Sequence, residues 1–165
     1  MSIEPATESQ EASLQAAVQE LRDIEAIKQL KARYCYLVDE RRWEELAQLW
    51  TEDAVGDYDF GLVFHGRDAV MEGFFHGPTV TAASFFVHMV HNPIVNVAGD
   101  SATGQWYLTA QSASQAGQAM WVMGRYQDEF RRVGGEWKIK SLKFRFYVLA
   151  PYEEGWGKTR IHLPG

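Results

Sequence analysis

An imidazole stands in the middle of an apolar run. Residues 84–91 read Ser-Phe-Phe-Val-His-Met-Val-His, the pattern of a β-strand. Strand alternation groups His88 with Ser84, Phe86 and Val90 and sends His91 to the opposite face. Two histidines on opposite faces do not share a metal ion. A neutral imidazole among large apolar groups suits a lined cavity with one polar group aimed into it. Facing a carboxylate from elsewhere in the chain, it could take up and return a proton. His88 reads equally well as a core histidine with satisfied nitrogens, and both readings stay open at this point.

The elements that must position it are legible in outline. Leu14, Ala17, Leu21, Ile24, Ile27, Leu30 and Tyr34 recur at three- and four-residue steps, which predicts helix over residues 9–39. That is long for one helix, so a break over residues 20–23 is expected. A short helix follows over residues 43–49, joined through Arg41 and Arg42. Residues 54–60 and 62–65 read as a hairpin across Gly61, residues 67–74 as a short helix, and Gly77-Pro78 as a break. Long strands are then expected over residues 84–97, 102–112, 118–132 and 137–149. Asn92-Pro93 marks an edge or a bulge. Trp106, Leu108 and Ala110 share a face. In the last strand the apolar parity flips between Trp137/Ile139 and Leu142/Phe144/Phe146, which places a bulge near Ser141. Helices first and an antiparallel meander after them give an α+β fold, with the helices packed on a strongly bent, mostly antiparallel sheet around a pocket. The expected division is a tail over residues 1–8, one domain over 9–150 and an extension over 151–165.

Composition narrows the function classes. The chain has 165 residues and a net charge of −6, which argues against nucleic acid as a partner. Cys35 is the single cysteine, so no intrachain disulfide forms and a reducing, cytoplasmic setting is expected. Residues 1–10 are polar without an apolar leader core, and no apolar stretch is long enough to span a membrane. Six Trp, seven Tyr and nine Phe exceed the needs of a plain core, and suit either a pocket for a flat apolar ligand or a subunit interface. There is no HExxH, no close His/Cys cluster and no glycine-rich phosphate loop, so neither metal nor cofactor is expected.

Three blocks carry a family likeness. They are residues 24–34 (Ile-Glu-Ala-Ile-Lys-Gln-Leu-Lys-Ala-Arg-Tyr) with Asp39 and residues 43–50; His88-Met89-Val90-His91-Asn92-Pro93 with residues 99–108; and Gly135-Glu136-Trp137-Lys138-Ile139. From about residue 23 to residue 147 the chain resembles SnoaL-like domains of the NTF2-like (cystatin-like) superfamily, nearest the scytalone dehydratase and bile-acid dehydratase type. Hexachlorocyclohexane dehydrochlorinase is a further relative of that type. The resemblance implies an α+β cone and a helix Asp with a strand His acting as a dyad. Asp39 and His88 match those positions. Tyr34 and Tyr58 match pocket tyrosines, Arg145 falls near a pocket arginine, and Ala110 stands where the bile-acid enzyme carries an acid. The resemblance also implies a homo-oligomer, trimer or dimer.

The chemistry implied is proton abstraction beside a carbonyl. His88 would be the base, Asp39 would fix its tautomer, and Tyr34 and Tyr58 would donate hydrogen bonds to the enolate oxygen. Phe86, Trp106, Trp121, Phe144 and Arg145 are the candidate substrate contacts; the aromatics serve equally as core or interface, and Arg145 equally as half of an ion pair. On an ideal helix Tyr34 and Asp39 lie about 140° apart in azimuth, so both cannot point straight at one atom. Three functions remain: a cofactor-independent dehydratase-like lyase on a hydrophobic cyclic or aromatic carbonyl compound, an isomerase or cyclase on a polyketide- or steroid-like molecule, and a binding domain without chemistry.

Overall fold

A computed structural model describes residues 7–161 of the chain. Helix α1 (Glu8–Asp39) starts in a capping box: Thr7 Oγ1 accepts from the Gln10 amide, and the Thr7 amide donates to Gln10 Oε1 at 2.8 Å. Of the expected tail, residues 1–6 lie outside the described range, and Thr7 and Glu8 begin the helix. The expected break over residues 20–23 is absent. Asp23 turns inward there but is met by Trp137 Nε1 (3.0 Å) and Arg132 (2.7 Å), so its charge is satisfied and the helix runs on. Before Asp23 the helix is exposed, with Leu14 at 66%. After it, Ile27, Leu30, Lys31, Tyr34, Cys35, Leu37 and Val38 form the buried face.

Helix α2 (Trp43–Gln48) leads into β1 (Trp50–Asp57) and β2 (Val63–His65). Helix α3 (Arg67–Val70) runs into a π-helical turn over Met71–Phe75. Gly77-Pro78 ends that turn and also starts a helix, α4 (Pro78–Thr81), because proline at the first helical position gives up an amide that has no partner there anyway. Strands β3 (Ala83–Ala98), β4 (Ser101–Ser114), β5 (Ala119–Val133) and β6 (Glu136–Pro151) complete the sheet. The extension adds one turn, α5 (Gly155–Lys158), and a bridge from Ile161 to Leu149.

The sheet order is β2-β1-β6-β5-β4-β3, with β1 parallel to β6 and the other pairs antiparallel. It is mixed, curled and unclosed. Two of its register slips fall at sites the sequence marks. One lies between His91 and Ile94, where Asn92 takes φ 52° before Pro93. Another leaves Lys140 unpaired between Ile139 and Ser141, which accounts for the parity flip in β6. The inner face is built in rows across the strands: Trp106–Tyr126–Phe144, Gly104–Asp128–Leu142 and Ala102–Phe130–Ile139. A Cβ at Gly104 would meet the Trp106 ring at 2.1 Å, so glycine there lets the indole lie across its own strand. β3 is left as an edge strand, and the C-terminal end of α1 reaches that free edge.

Candidate functional site

Asp39 is the last residue of α1, at the negative end of the helix dipole, where no basic residue offsets it. A carboxylate there is disfavoured by about 0.3–1 kcal/mol, so the position reflects a tertiary partner rather than helix propensity. That partner is His88. Asp39 Oδ1 lies 2.5 Å from His88 Nδ1, and Asp39 Oδ2 accepts from the His88 backbone amide at 2.9 Å. That bond shows that the His88 amide points off the free edge of the sheet, away from β4. One carboxylate therefore fixes both the backbone and the ring of the histidine. With the Nδ1 proton donated to Asp39, Nε2 carries the lone pair. The two side chains keep 14% and 17% of their surface, so the pair lies at the edge of the sheet, partly open to solvent. Phe86 lies on the same face of β3, its ring centroid 5.7 Å from that of His88.

The tyrosines are elsewhere. α1 does not fray before Asp39, so Asp39 turns to the edge of β3 while Tyr34 turns into the interior against Trp50, Phe75 and Tyr126. Tyr58 stacks on Phe74 at 3.4 Å, and its buried hydroxyl has no aligned partner. Burial first, and then the negative charge that neighbouring groups would add, pushes Tyr34, Tyr58 and Tyr126 well above the ordinary phenol range. All three are neutral donors at any working pH.

Between these phenols lies a charge pair that sequence reasoning missed. Lys31 Nζ is 2.8 Å from Asp128 Oδ2, and both side chains are fully buried. The contact is close but off the hydrogen-bonding directions, and Asp128 Oδ1 also has no partner. The ammonium is caged by rings, 3.3 Å from the centroid of Tyr126, 4.7 Å from Tyr34 and 5.6 Å from Trp106. Burial raises the Asp128 carboxyl, and Lys31 only partly offsets it. The signal was available: Lys31 falls on the stripe of Ile27, Leu30 and Tyr34, and Asp128 shares strand parity with Tyr126 and Phe130. A charge in the apolar phase of both a helix and a strand announces a pair. Lys31 precedes Asp39 by about 12 Å along the helix, so the pair and the dyad are separate places in one fold.

Trp106 and Phe144 line this interior cluster, Phe144 at 4.7 Å from Tyr126. Two expected pocket contacts do not. Trp121 has the opposite strand parity to Tyr126 and packs on Tyr152 and Trp156 of the extension. Arg145 is opposite Arg125 on the outer face, where two of its nitrogens hold Asp57 at 2.6 and 2.5 Å. Its role there is the ion pair. Among the described residues no three His, Cys, Asp or Glu side chains group as metal ligands, and no helix is long and apolar enough to cross a membrane.

Residues 19–143 match the profile of the SnoaL-like domain. The chain is similar to a solved structure from Novosphingobium aromaticivorans described as a candidate aromatic ring hydroxylase (29% identity, 81% of this chain and 96% of that one, TM-score 0.73). A candidate scytalone dehydratase from the same species is 24% identical over 88% of this chain and 91% of that one, with TM-score 0.73. An NTF2-like protein with a cystatin-like fold, again from that species, is 25% identical over 82% and 88%, with TM-score 0.72.

Proposed function

From the premise that this chain belongs to the SnoaL-like domain family, of NTF2-like fold, we propose that it is a cofactor-independent lyase of dehydratase type. The substrate is a hydrophobic cyclic or aromatic carbonyl compound. The observation that carries this reading is the two-point hold of Asp39 on His88. It leaves His88 Nε2 as a general base at a reachable rim, and a positioned base contributes about 10²–10⁴ in rate. Asp39 stabilises the imidazolium that forms when the carbon acid gives up its proton. The imidazolium then returns that proton to the departing hydroxyl or halide, so that the C–H and C–X bonds break and a C=C bond forms. Tyr34 and Tyr58 lie deeper than the dyad and act as neutral donors to the far end of the substrate.

A second reading draws on Ala110. The residue directly across from His88 carries only a methyl group, so that position of β4 supplies no second acid. Elimination must then use one imidazole for both proton steps. An isomerase, which takes a proton from one carbon and returns it to another, needs only that one group. A binding domain without turnover is the remaining alternative. The outward-facing Phe85, Met89, Tyr107 and Tyr147 also support assembly into a homo-oligomer.

Proton abstraction is tested directly by solvent exchange. The protein is incubated in D₂O with a panel of hydrophobic cyclic ketones, some carrying a β-hydroxyl, and followed by NMR. Deuterium uptake by the wild type, lost in His88→Ala and Asp39→Asn with binding retained, supports the enzyme. Appearance of an enone distinguishes lyase from isomerase. Ligand binding without any exchange sinks both.

A further inference from the structure

Arg41 occupies a place that a simple linker does not require. It follows the helix end, with φ 55°. Its amide donates to Val38 O at 3.2 Å and the Arg42 amide to Leu37 O at 2.9 Å, the paired bonds of a Schellman ending. Glycine is favoured at this position, because a side chain in the left-handed region costs about 1–2 kcal/mol. The arginine side chain turns back across the helix end onto β3. Its Nη2 donates to Ala83 O at 2.5 Å, and its Cζ lies 6.0 Å from the centroid of Phe86. Phe86 is the aromatic neighbour of His88. The cation and the base therefore both neighbour the ring of Phe86.

Its hydrogen bonding is incomplete. Ala83 O also accepts from Gln115 Nε2 at 3.3 Å, so that carbonyl has a second donor. A guanidinium has five N–H groups, and the bond to Ala83 uses one. Among the described residues no carboxylate lies within 4.0 Å of it, whereas Arg42, Arg131, Arg132 and Arg145 each face one. Asp39, two residues away, spends both oxygens on His88. A half-buried guanidinium with open N–H groups fits a planar oxyanion in a bidentate fork.

We infer that Arg41 is a specificity-determining residue that binds the carboxylate of a cyclic or aromatic acid, whose ring lies along Phe86 and whose acidic carbon meets His88. The carbonyl compound proposed above is then itself an acid, anchored by its carboxylate at Arg41 while its reacting carbon faces His88. The inference rests on that reading for the role of His88, and on Arg41 alone for the charge preference.

The test uses the full chain with naphthoate and methyl naphthyl ketone, a charged and a neutral probe of similar size, titrated by calorimetry. The wild type binds naphthoate about 10- to 100-fold more tightly, the factor a charge-assisted hydrogen bond supplies. Arg41→Gln and Arg41→Gly reduce the ratio to near one through naphthoate alone. Arg41→Gly keeps the thermal midpoint, since glycine is at ease at this φ and Gln115 retains Ala83 O. His88→Ala keeps the preference. If the preference persists in His88→Ala and no protein shows solvent exchange, the catalytic reading fails and the binding role of Arg41 stands. Equal affinities in the wild type, binding of neither probe, a preference that survives both Arg41 substitutions, or equal loss of both probes overturns the inference.

Discussion

Asp39 holds His88 at two points, ring Nδ1 at 2.5 Å and backbone amide at 2.9 Å. The same contact joins the end of α1 to the free edge of β3, so it orients the His88 ring and covers part of an edge strand at once. In Asp39→Asn the amide can preserve the shape while presenting an N–H to the ring, which reverses the tautomer. We predict a loss of activity on the order of 10³–10⁴, as removal of a tautomer-fixing carboxylate does elsewhere. Stability falls by only about 1 kcal/mol, because a bond to the β3 amide can still form. Proton-exchange rates and urea midpoints measured on the same preparation check both. A stability loss large enough to unfold the variant would point to a purely structural contact.

Lys31 and Asp128 give a contrasting case. Removing one member of a fully buried pair leaves an uncompensated charge and costs about 3–5 kcal/mol, while replacing both by apolar groups is often neutral. Lys31→Met is therefore expected to be strongly destabilised and Lys31→Met/Asp128→Leu to recover most of the loss in urea unfolding. The pH dependence carries a sign. Burial raises the Asp128 carboxyl above its ordinary 3.8. Its ionised form thus costs stability near neutrality, and that cost is relieved as pH falls through the raised value. Lys31→Met should gain stability as pH falls from neutrality towards 3.8, more steeply than the wild type. A flat profile would show that Asp128 stays ionised in the folded variant as it is in the unfolded chain, and would contradict a raised carboxyl.

How much of this could be read from the sequence differs by physical origin. Strand parity placed His88 with Phe86 and apart from His91, because alternation is a local property of the chain. The flip between Ile139 and Leu142 located a bulge that the register puts at Lys140. The single long α1 was not legible, since the partners that satisfy Asp23 come from β5 and β6, over a hundred residues away in the case of Trp137. Parity also governs Arg145. One residue separates it from Phe144, and one residue is the difference between the inner and outer face of the sheet. Arg41 reads in sequence as part of a linker. Only the folded chain shows its side chain reaching Ala83 and Phe86 on β3.

Cys35 offers a probe that is independent of function. It is buried on α1, and burial, followed by the opposing effect of Lys31, moves its thiol up to about 11 from an ordinary 9.0. At about pH 8 only about one thiol in a thousand is ionised, against about one in ten for an unshifted thiol. Iodoacetamide should leave the folded protein unmodified and alkylate it in urea. The linkage sign is that stability declines as pH rises from 9.0 towards 11, because the unfolded chain releases the proton first. Rapid labelling of the native protein would mean that α1 opens locally.

Arg145 and Arg41 make a matched pair of substitutions. The Arg145 guanidinium holds Asp57 on the outer face, and both side chains are partly exposed. That bond, against an opposing effect of desolvation, keeps the Asp57 carboxyl below its ordinary value, so the contribution is present at neutral pH and fades as pH falls below 3.8. Solvent screening limits a pair of this kind to roughly 0.2–1 kcal/mol. Arg145→Ala is predicted to lower the urea midpoint slightly and to leave naphthoate affinity within about twofold of the wild type, since the side chain faces away from the ring of His88. Arg41→Gln is predicted to do the reverse, keeping the midpoint and losing naphthoate. If instead Arg145→Ala abolishes naphthoate binding while Arg41→Gln does not, the anion is held on the outer face of β6 rather than beside β3, and Arg145 regains the substrate-contact role that its sequence position suggests.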